Sequence, residues 1–294
     1  MELLITGASG LLGSKIAEIA LKKGYKVISG YLTHEPSYGF AVKLDVRNEN
    51  SLRKILENYK PEVVVHTAAL TDVDKCEIEK ELAWSVNVEG TKNVARLCKK
   101  AFLIYVSTDY VFEGEKGMYR EEDEANPINY YGITKLEGEK IVKELGDFCI
   151  ARTSVIYGAR KASGKVNFAL WVMEKLRRGE EIKVLKDHWN SPTLNTNLAE
   201  MILEIAERRL EGVYHLAGAT RISRYEFANL IAETFDLKKD LIKPIKMEEM
   251  RWIARRPRDS SLNVEKAMKL RNKPNEIGEA LKRLKEEISQ QSLT

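Results

Sequence analysis

Thr6-Gly7-Ala8-Ser9-Gly10-Leu11-Leu12-Gly13 decides the fold. The octet follows an apolar run, Glu2–Thr6, that reads as a strand. It opens a segment, Leu11–Lys23, with helical spacing at Leu12, Ile16, Ile19 and Ala20. Strand, glycine turn and helix in that order make an anion site. The first N–H groups of the helix have no partner within it, and the helix dipole adds to their pull on negative charge. Gly7 permits the tight turn, Gly10 lets a pyrophosphate approach the backbone, and Gly13 lets the helix pack close to the sheet. The spacing is G-x-x-G-x-x-G, not the standard dinucleotide G-x-G-x-x-G. Three glycines alone suit a plain tight turn equally well, and it is the βαβ units downstream that favour a dinucleotide. The expected contacts in the turn are Gly7, Ser9, Gly10, Leu11, Leu12 and Gly13.

Outward from the turn, strands and helices alternate. Tyr25–Ser29, Ala41–Val46, Glu62–His66, Phe102–Ser107 and Phe148–Arg152 read as strands. Between them fall a helix that Asn48 caps and Pro61 stops, a long helix over Cys76–Lys100, and a helix over Lys135–Leu145. Continuous apolar strands separated by helices predict an α/β fold, a Rossmann-type doubly wound parallel sheet covered on both faces. After Tyr157 the pattern loosens. Helices are expected at Asn167–Arg178 and Leu198–Arg209, and a short strand at Gly212–Leu216. Ser223-Arg-Tyr-Glu226 is a capping box that opens another helix. Met247–Asn263 is rich in arginine and fits neither period. A last helix aligns Ile277, Leu281, Leu284 and Ile288. The expected organisation is a dinucleotide-binding domain over 1–157, to which a segment of about 191–216 returns. Residues 158–294 then form mainly a smaller C-terminal substrate-binding lobe and the C-terminal helix.

Composition narrows the function classes. The 294 residues are 44% hydrophobic and 31% charged, as in a soluble globular protein. No apolar run approaches a membrane span, and Met1-Glu2 leads straight into a strand, so the expectation is a cytoplasmic protein with no membrane partner. A net charge of +4 gives no reason to expect nucleic acid. Cys76, Cys98 and Cys149 are an odd number without metal-ligand spacing, and the four histidines are scattered. No metal site is expected. Glutamine occurs only at Gln290 and Gln291 amid abundant Lys, Arg and Glu, a bias that resembles a thermophile.

The chemistry-bearing residues follow the strands. An acid that grips an adenosine ribose would end the second strand, but Ser29-Gly30-Tyr31-Leu32-Thr33-His34 contains none. Its absence removes a repulsion against a 2′-phosphate. The expected cofactor is NADPH, with NADH also accepted, although no arginine stands there to select the phosphate. Asp45-Val46 either holds the adenine amino group or merely ends a strand. Tyr131 and Lys135 lie four residues apart on one helix face. A neighbouring ammonium is expected to lower the phenol's pKa and ready it as general acid towards a ketone oxygen. Ser107-Thr108 follows the fifth strand, where either hydroxyl could meet the reacting oxygen or cap the strand end.

Together these residues resemble the extended short-chain dehydrogenase/reductase family and, within it, the dTDP-4-dehydrorhamnose reductases. The matching stretches are Thr6–Gly13, His66–Ala69, Asn87–Gly90, Val106–Phe112, Pro127–Gly138, Arg152–Gly158, Asp187–Thr193 and Arg256–Leu262. The resemblance implies NADPH-dependent reduction of the 4-keto group of dTDP-4-dehydro-L-rhamnose, with Thr108, Tyr131 and Lys135 catalytic and Tyr131 the general acid. It implies that Ala68, Ala69 and Thr71 pass beside the cofactor, that Lys135 holds the nicotinamide ribose, and that Asp109 and Tyr110 seat the sugar. Arg256 would meet the nucleotide diphosphate, where a guanidinium fork suits phosphate. At least two of Arg251, Arg255, Arg256 and Arg258 are expected to be plain solvated surface. A homodimer is the family's habit. The chain departs from the reductases at Leu11, where they commonly carry glutamine, at Val155, where an aromatic often meets the substrate, and at Asn197, usually aspartate. Two other readings fit the same motifs: a non-catalytic regulatory subunit resembling that of methionine adenosyltransferase, and a sugar-nucleotide epimerase holding NAD tightly.

Overall fold

The alternating apolar runs become one seven-stranded parallel sheet. A computed structural model describes residues 1–144, 146–161 and 166–291. Strands β1 (Glu2–Thr6), β2 (Lys26–Tyr31) and β3 (Phe40–Lys43) are linked through α1 (Leu11–Lys22) and a loop. Helix α2 (Glu49–Tyr59) leads to β4 (Val63–His66). The chain continues through α3 (Val73–Ile78), α4 (Lys80–Trp84), a π turn (Ser85–Glu89) and α5 (Gly90–Leu97) to β5 (Phe102–Thr108). Helix α6 (Tyr130–Lys143) connects β5 to β6 (Phe148–Thr153). The sheet order is β3-β2-β1-β4-β5-β6, and a later strand, Gly212–His215, pairs with β6. The chain turns outward in opposite directions from β1 and β4. The crevice over their C-terminal ends is therefore where a doubly wound sheet binds its ligand.

Each face of the sheet buries its own core. On one side Leu12, Ile16 and Ala17 of α1 pack with Leu198, Met201 and Ile202. On the other, Leu52, Ile55, Val94 and Val142 cover Leu4, Val64 and Leu103. Past β6 come β7 (Ile156–Tyr157), α7 (Phe168–Arg177), β8 (Ile182–Leu185), β9 (Trp189–Asn190) and β10 (Thr193–Leu194). Next are α8 (Asn195–Arg208), β11 (Gly212–His215), β12 (Ile222–Ser223), α9 (Arg224–Thr234), β13 (Ile242–Ile245) and α10 (Ile277–Gln291). A separate core of Val172, Met173, Phe227, Ile231, Leu281 and Leu284 joins α7, α9 and α10, with β8 and β13 paired in parallel. Helix α8 and strand β11 return to the large sheet.

Three expected elements differ. The single helix over Cys76–Lys100 is broken. Glu79 leaves helical geometry (φ −108°, ψ 64°), and the π turn presents Asn87 inward. The Asn87 amide binds both the N–H and the carbonyl of Leu70, at 2.8 and 3.0 Å, and the Thr134 hydroxyl at 3.0 Å. A wide turn of this kind re-aims a side chain at a helix's expense. The helix expected over Lys135–Leu145 starts earlier, because the Asn129 side chain caps it by accepting the Gly132 N–H at 2.8 Å. It ends at Lys143, and Leu145 lies outside the described residues. The strand expected at Ala41–Val46 stops at Lys43, which leaves Asp45 and Val46 in the loop above the sheet. The capping box at Ser223 and Glu226 is present with both its hydrogen bonds.

Candidate active site

The glycine turn is built as its residues require. Gly7 adopts φ +68°, and a Cβ there would lie 2.9 Å from the Ala68 backbone. A Cβ on Gly13 would stand 2.5 Å from the Gly7 carbonyl oxygen, so only glycine lets α1 seat against the turn. Gly10 caps α1 without a side-chain hydrogen bond, and the first turn carries no acid. That leaves an open N–H face for an anion.

A cleft of about 640 Å³ runs from this turn across the ends of the strands. Gly7, Ser9, Gly10, Leu11, Leu12, Gly13, Asp45, Val46, Ala68, Ala69, Thr71, Thr108, Asp109, Tyr131 and Lys135 all line it. Fifteen of the residues singled out from the sequence thus share one wall. Leu32, Thr33, Arg47, Val86, Ile156, Val166 and Asn167 line it too and escaped the sequence reading. Arg47 matters most of these. Its guanidinium grips Asp45 in a fork, Nε to Oδ1 at 2.9 Å and Nη2 to Oδ2 at 2.6 Å. That bond holds the Asp45 carboxyl below its ordinary pKa. No arginine follows β2, but β3 beside it delivers one two residues after Asp45.

Val155 also lines the cleft, with φ +43°. For a β-branched residue that conformation costs on the order of 1–3 kcal/mol. It is held in part by its carbonyl, which accepts the Thr193 N–H at 3.1 Å.

The catalytic candidates stand on α6 and at the end of β5. The Thr108 hydroxyl donates to Asp109 Oδ1 at 3.0 Å and accepts the Tyr110 N–H at 3.2 Å. Ser107 and Thr108 both line the cleft, but the Ser107 hydroxyl is committed to Glu139, donating at 2.6 Å, while Thr108 is engaged by Asp109 and Tyr110 at the cleft's own edge. The Lys135 ammonium donates to the Val106 carbonyl at 2.8 Å and lies 4.0 Å from the centre of the Tyr105 ring.

The expected depression of the Tyr131 pKa is not found. Burial pushes the phenol well above its ordinary value, an effect the Thr108 hydroxyl opposes and the Asp109 carboxylate reinforces. Lys135 is itself brought down to about 7 by burial, against the opposing charge of Glu139. Desolvation wins because both groups sit deep in the wall and the ammonium is engaged by β5. The phenol is consequently protonated at neutral pH, the form a general acid needs.

Asp109 is buried, and its carboxylate is occupied. Ser154 donates to Oδ2 at 2.8 Å and Ser260 at 2.6 Å, with Thr108 on Oδ1. While lining the cleft, the carboxylate ties together β5, the end of β6 and the late loop. Burial raises its pKa, and the three hydroxyls oppose that rise. Tyr110 packs edge-on against Tyr131, ring centres 6.2 Å apart, outside the cleft lining. Arg256 is also outside that lining. It is mostly buried, paired with Asp74 at 3.1 Å, and donates to the Ala254 carbonyl at 2.8 Å. Arg251, Arg255 and Arg258 are exposed, as expected of a solvated surface.

Arg224 was not anticipated. Its guanidinium lies 4.9 Å from the centre of the Phe168 ring and has no ion pair among the described residues. Burial lowers its pKa, while Tyr110 and Asp109 oppose that shift. Nothing in the local sequence distinguishes it from a surface residue of a capping box. Among the described residues no three His, Cys, Asp or Glu side chains converge as metal ligands, and no helix is long and apolar enough to cross a membrane.

The comparisons agree with this architecture. The family model described as the RmlD substrate binding domain matches residues 1–290. A probable low-salt glycan biosynthesis reductase of Haloferax volcanii is 34% identical over 270 residues, 90% of each chain. Methionine adenosyltransferase 2 subunit beta of Xenopus tropicalis is 34% identical over 254 residues, 82% of this chain and 74% of that one. A hypothetical dTDP-4-dehydrorhamnose reductase from Sulfolobus tokodaii superposes with a TM-score of 0.82 at 41% identity, covering 92% of this chain and 94% of that one. The dTDP-4-dehydrorhamnose reductase of Bacillus anthracis, solved in complex with NADP, superposes with a TM-score of 0.87 at 32% identity, covering 97% and 99%. The chain belongs to the RmlD substrate binding domain family of extended short-chain dehydrogenase/reductases, to which its glycine turn and its Tyr131–Lys135 pair already pointed.

Proposed function

We propose that this protein is an NADPH-dependent sugar-nucleotide reductase that converts the 4-keto group of dTDP-4-dehydro-L-rhamnose to the alcohol. The carrying observation is that Thr108, Tyr131 and Lys135 share a cleft with the glycine turn. The turn fits a dinucleotide: Gly7 and Gly13 leave no room for a Cβ, and the N-terminus of α1 carries no side-chain cap. When bound there, NADPH supplies a hydride to the carbonyl carbon. Tyr131 donates its phenolic proton to the oxygen, and Thr108 holds that oxygen. Lys135 holds the nicotinamide ribose, and its charge stabilises the phenolate left on Tyr131. Arg47, which lines the same cleft as Leu32 and Thr33 after β2, favours NADPH over NADH. Arg256, outside the cleft lining and paired with Asp74, would exchange that partner to meet the substrate diphosphate. A homodimer belongs to this reading and is checked by sedimentation velocity.

The test is to mix protein, NADPH and dTDP-4-dehydro-L-rhamnose and follow loss of the reduced nicotinamide's absorbance. Turnover giving dTDP-L-rhamnose is expected, and none at any protein concentration would sink the substrate assignment. The likeness to methionine adenosyltransferase 2 subunit beta favours one second reading, a regulatory subunit. Absence of turnover together with recovery of a methionine adenosyltransferase catalytic subunit on the tagged protein would select it.

A further inference from the structure

An ion pair sealed from solvent lies directly behind the catalytic wall. Glu139, one helical turn beyond Lys135 on α6, has no exposed side-chain surface, and Arg152 on β6 has 2%. Arg152 grips the carboxylate in a fork, Nε to Oε1 at 2.9 Å and Nη2 to Oε2 at 2.7 Å. Ser107, next to Thr108, donates to Oε1 at 2.6 Å. Arg152 also reaches the Glu121 carbonyl at 3.4 Å and lies 5.1 Å from the centre of the Phe112 ring. A buried ion pair of this kind adds little stability over packed apolar side chains. Its place in the fold calls for another explanation.

The surroundings of Lys135 supply it. β5 presents the Val106 carbonyl and the Tyr105 ring. β4 presents His66, which burial and the Lys135 charge hold neutral, with a pKa near 3. The lysine's own helix presents Tyr131 and Glu139, and β6 presents Arg152 behind Glu139. Asp109 acts on Tyr131 from the other side, its oxygens held by Thr108, Ser154 and Ser260. Glu139 is thus the anion on the lysine's own face, at the i+4 position.

We propose that Glu139 is a positioning residue for the reduction: its carboxylate, locked by Arg152 and Ser107, keeps the Lys135 ammonium charged and aligned along the cleft wall. The charged lysine then holds the cofactor ribose and stabilises the phenolate. Burial alone drives Lys135 towards neutrality, and Glu139 is the influence that opposes it. The proposal rests on the reductase reading for its chemistry, but it is tested through cofactor binding without sugar.

The experiment measures NADPH affinity against pH by fluorescence titration. Wild-type affinity is expected to weaken as pH rises through the lysine's titration. K135M, which carries only the cofactor phosphate's own titration, serves as the baseline and lacks that limb. In E139Q the limb moves to lower pH by about one unit, as expected for loss of one close opposite charge. In R152Q it moves the other way, because Glu139 is no longer neutralised. Breaking a buried pair destabilises the fold. E139Q/R152M, which leaves no unpaired charge, therefore provides a folded protein in which the limb still moves down, by less than in E139Q because loss of Arg152 offsets part of the change. E139D retains the charge and keeps the limb near the wild-type position. A limb unmoved in E139Q and in the double variant, whatever the overall affinity, would overturn the proposal and leave Glu139 a structural residue. Where the limb moves but no sugar nucleotide is reduced, the positioning role stands and the reductase reading fails.

Discussion

A phenol and an ammonium four residues apart carry little meaning until a cleft gathers around them. Tyr131, Lys135 and Thr108 were legible because each belongs to a short linear pattern whose context, a strand end or a helix start, is itself legible. Asp109 was not. Its partners Ser154 and Ser260 stand 45 and 151 residues away, and only the fold brings them to its carboxylate. Arg47 carries no such signal, because the pattern for a ribose or 2′-phosphate contact lies after β2, while this charge arrives from beyond the neighbouring β3. Two predictions belong at this scale. Y131F removes the proton donor and should lower kcat by about 10²- to 10⁴-fold. NADPH affinity should change little, which fluorescence titration of the same protein checks. R47A should weaken NADPH binding by about tenfold or more, as loss of a charge-assisted hydrogen bond implies. NADH should be nearly unaffected. Equal weakening of both cofactors would place Arg47 at the adenine instead of the 2′-phosphate.

Helix α6 shows how an element serves the site. It carries Tyr131 and Lys135 one turn apart and lies close against β5, because Gly138 faces the Tyr105 ring. A Cβ at position 138 would stand 2.2 Å from the Tyr105 hydroxyl oxygen, which itself donates to the Lys135 carbonyl at 3.3 Å. G138A should push the helix outward, lower stability by about 1–3 kcal/mol by overpacking, and depress kcat with it. Urea unfolding and turnover of one preparation decide this, and a variant as stable and active as wild type would contradict it. Periodicity located nearly all of the sheet's strands and helices, since burial on both faces leaves continuous apolar runs. It failed between Cys76 and Lys100. There the apolar spacing persists, but Asn87 must turn inward to bind Leu70, and a regular helix does not present it so.

At the scale of the molecule, the late part of the chain is stitched back onto the large sheet by buried polar groups that no local pattern announces. Asn197 in α8 donates to the Lys273 carbonyl at 2.9 Å and accepts the Asn275 N–H at 2.9 Å. An amide provides both roles, and an ionised aspartate does not. Glu204, also in α8, accepts the backbone N–H groups of Arg271 and Asn272 at 2.9 and 2.8 Å, and pairs with Arg208 at 2.7 Å. Burial raises its carboxyl pKa, but these donors prevail and bring it from an ordinary 4.5 to about 2. At about 1.4 kcal/mol per pH unit that is roughly 3 kcal/mol of stability. The contribution is complete above about pH 4.5 and disappears as pH falls through about 2. E204Q should therefore lose most of it at neutral pH, and its deficit against wild type should shrink in acid. Chemical denaturation across that window measures both, and a deficit independent of pH would deny the charge its role.

The whole account turns on hydride delivery inside the cleft that joins the glycine turn to Tyr131. Its most direct test is a single turnover with NADPH deuterated at the transferred position and dTDP-4-dehydro-L-rhamnose. Deuterium at C4 of the sugar, in step with nicotinamide oxidation and lost in Y131F, is the predicted result. NADPH that binds tightly yet stays reduced, with no label in the sugar, would contradict it.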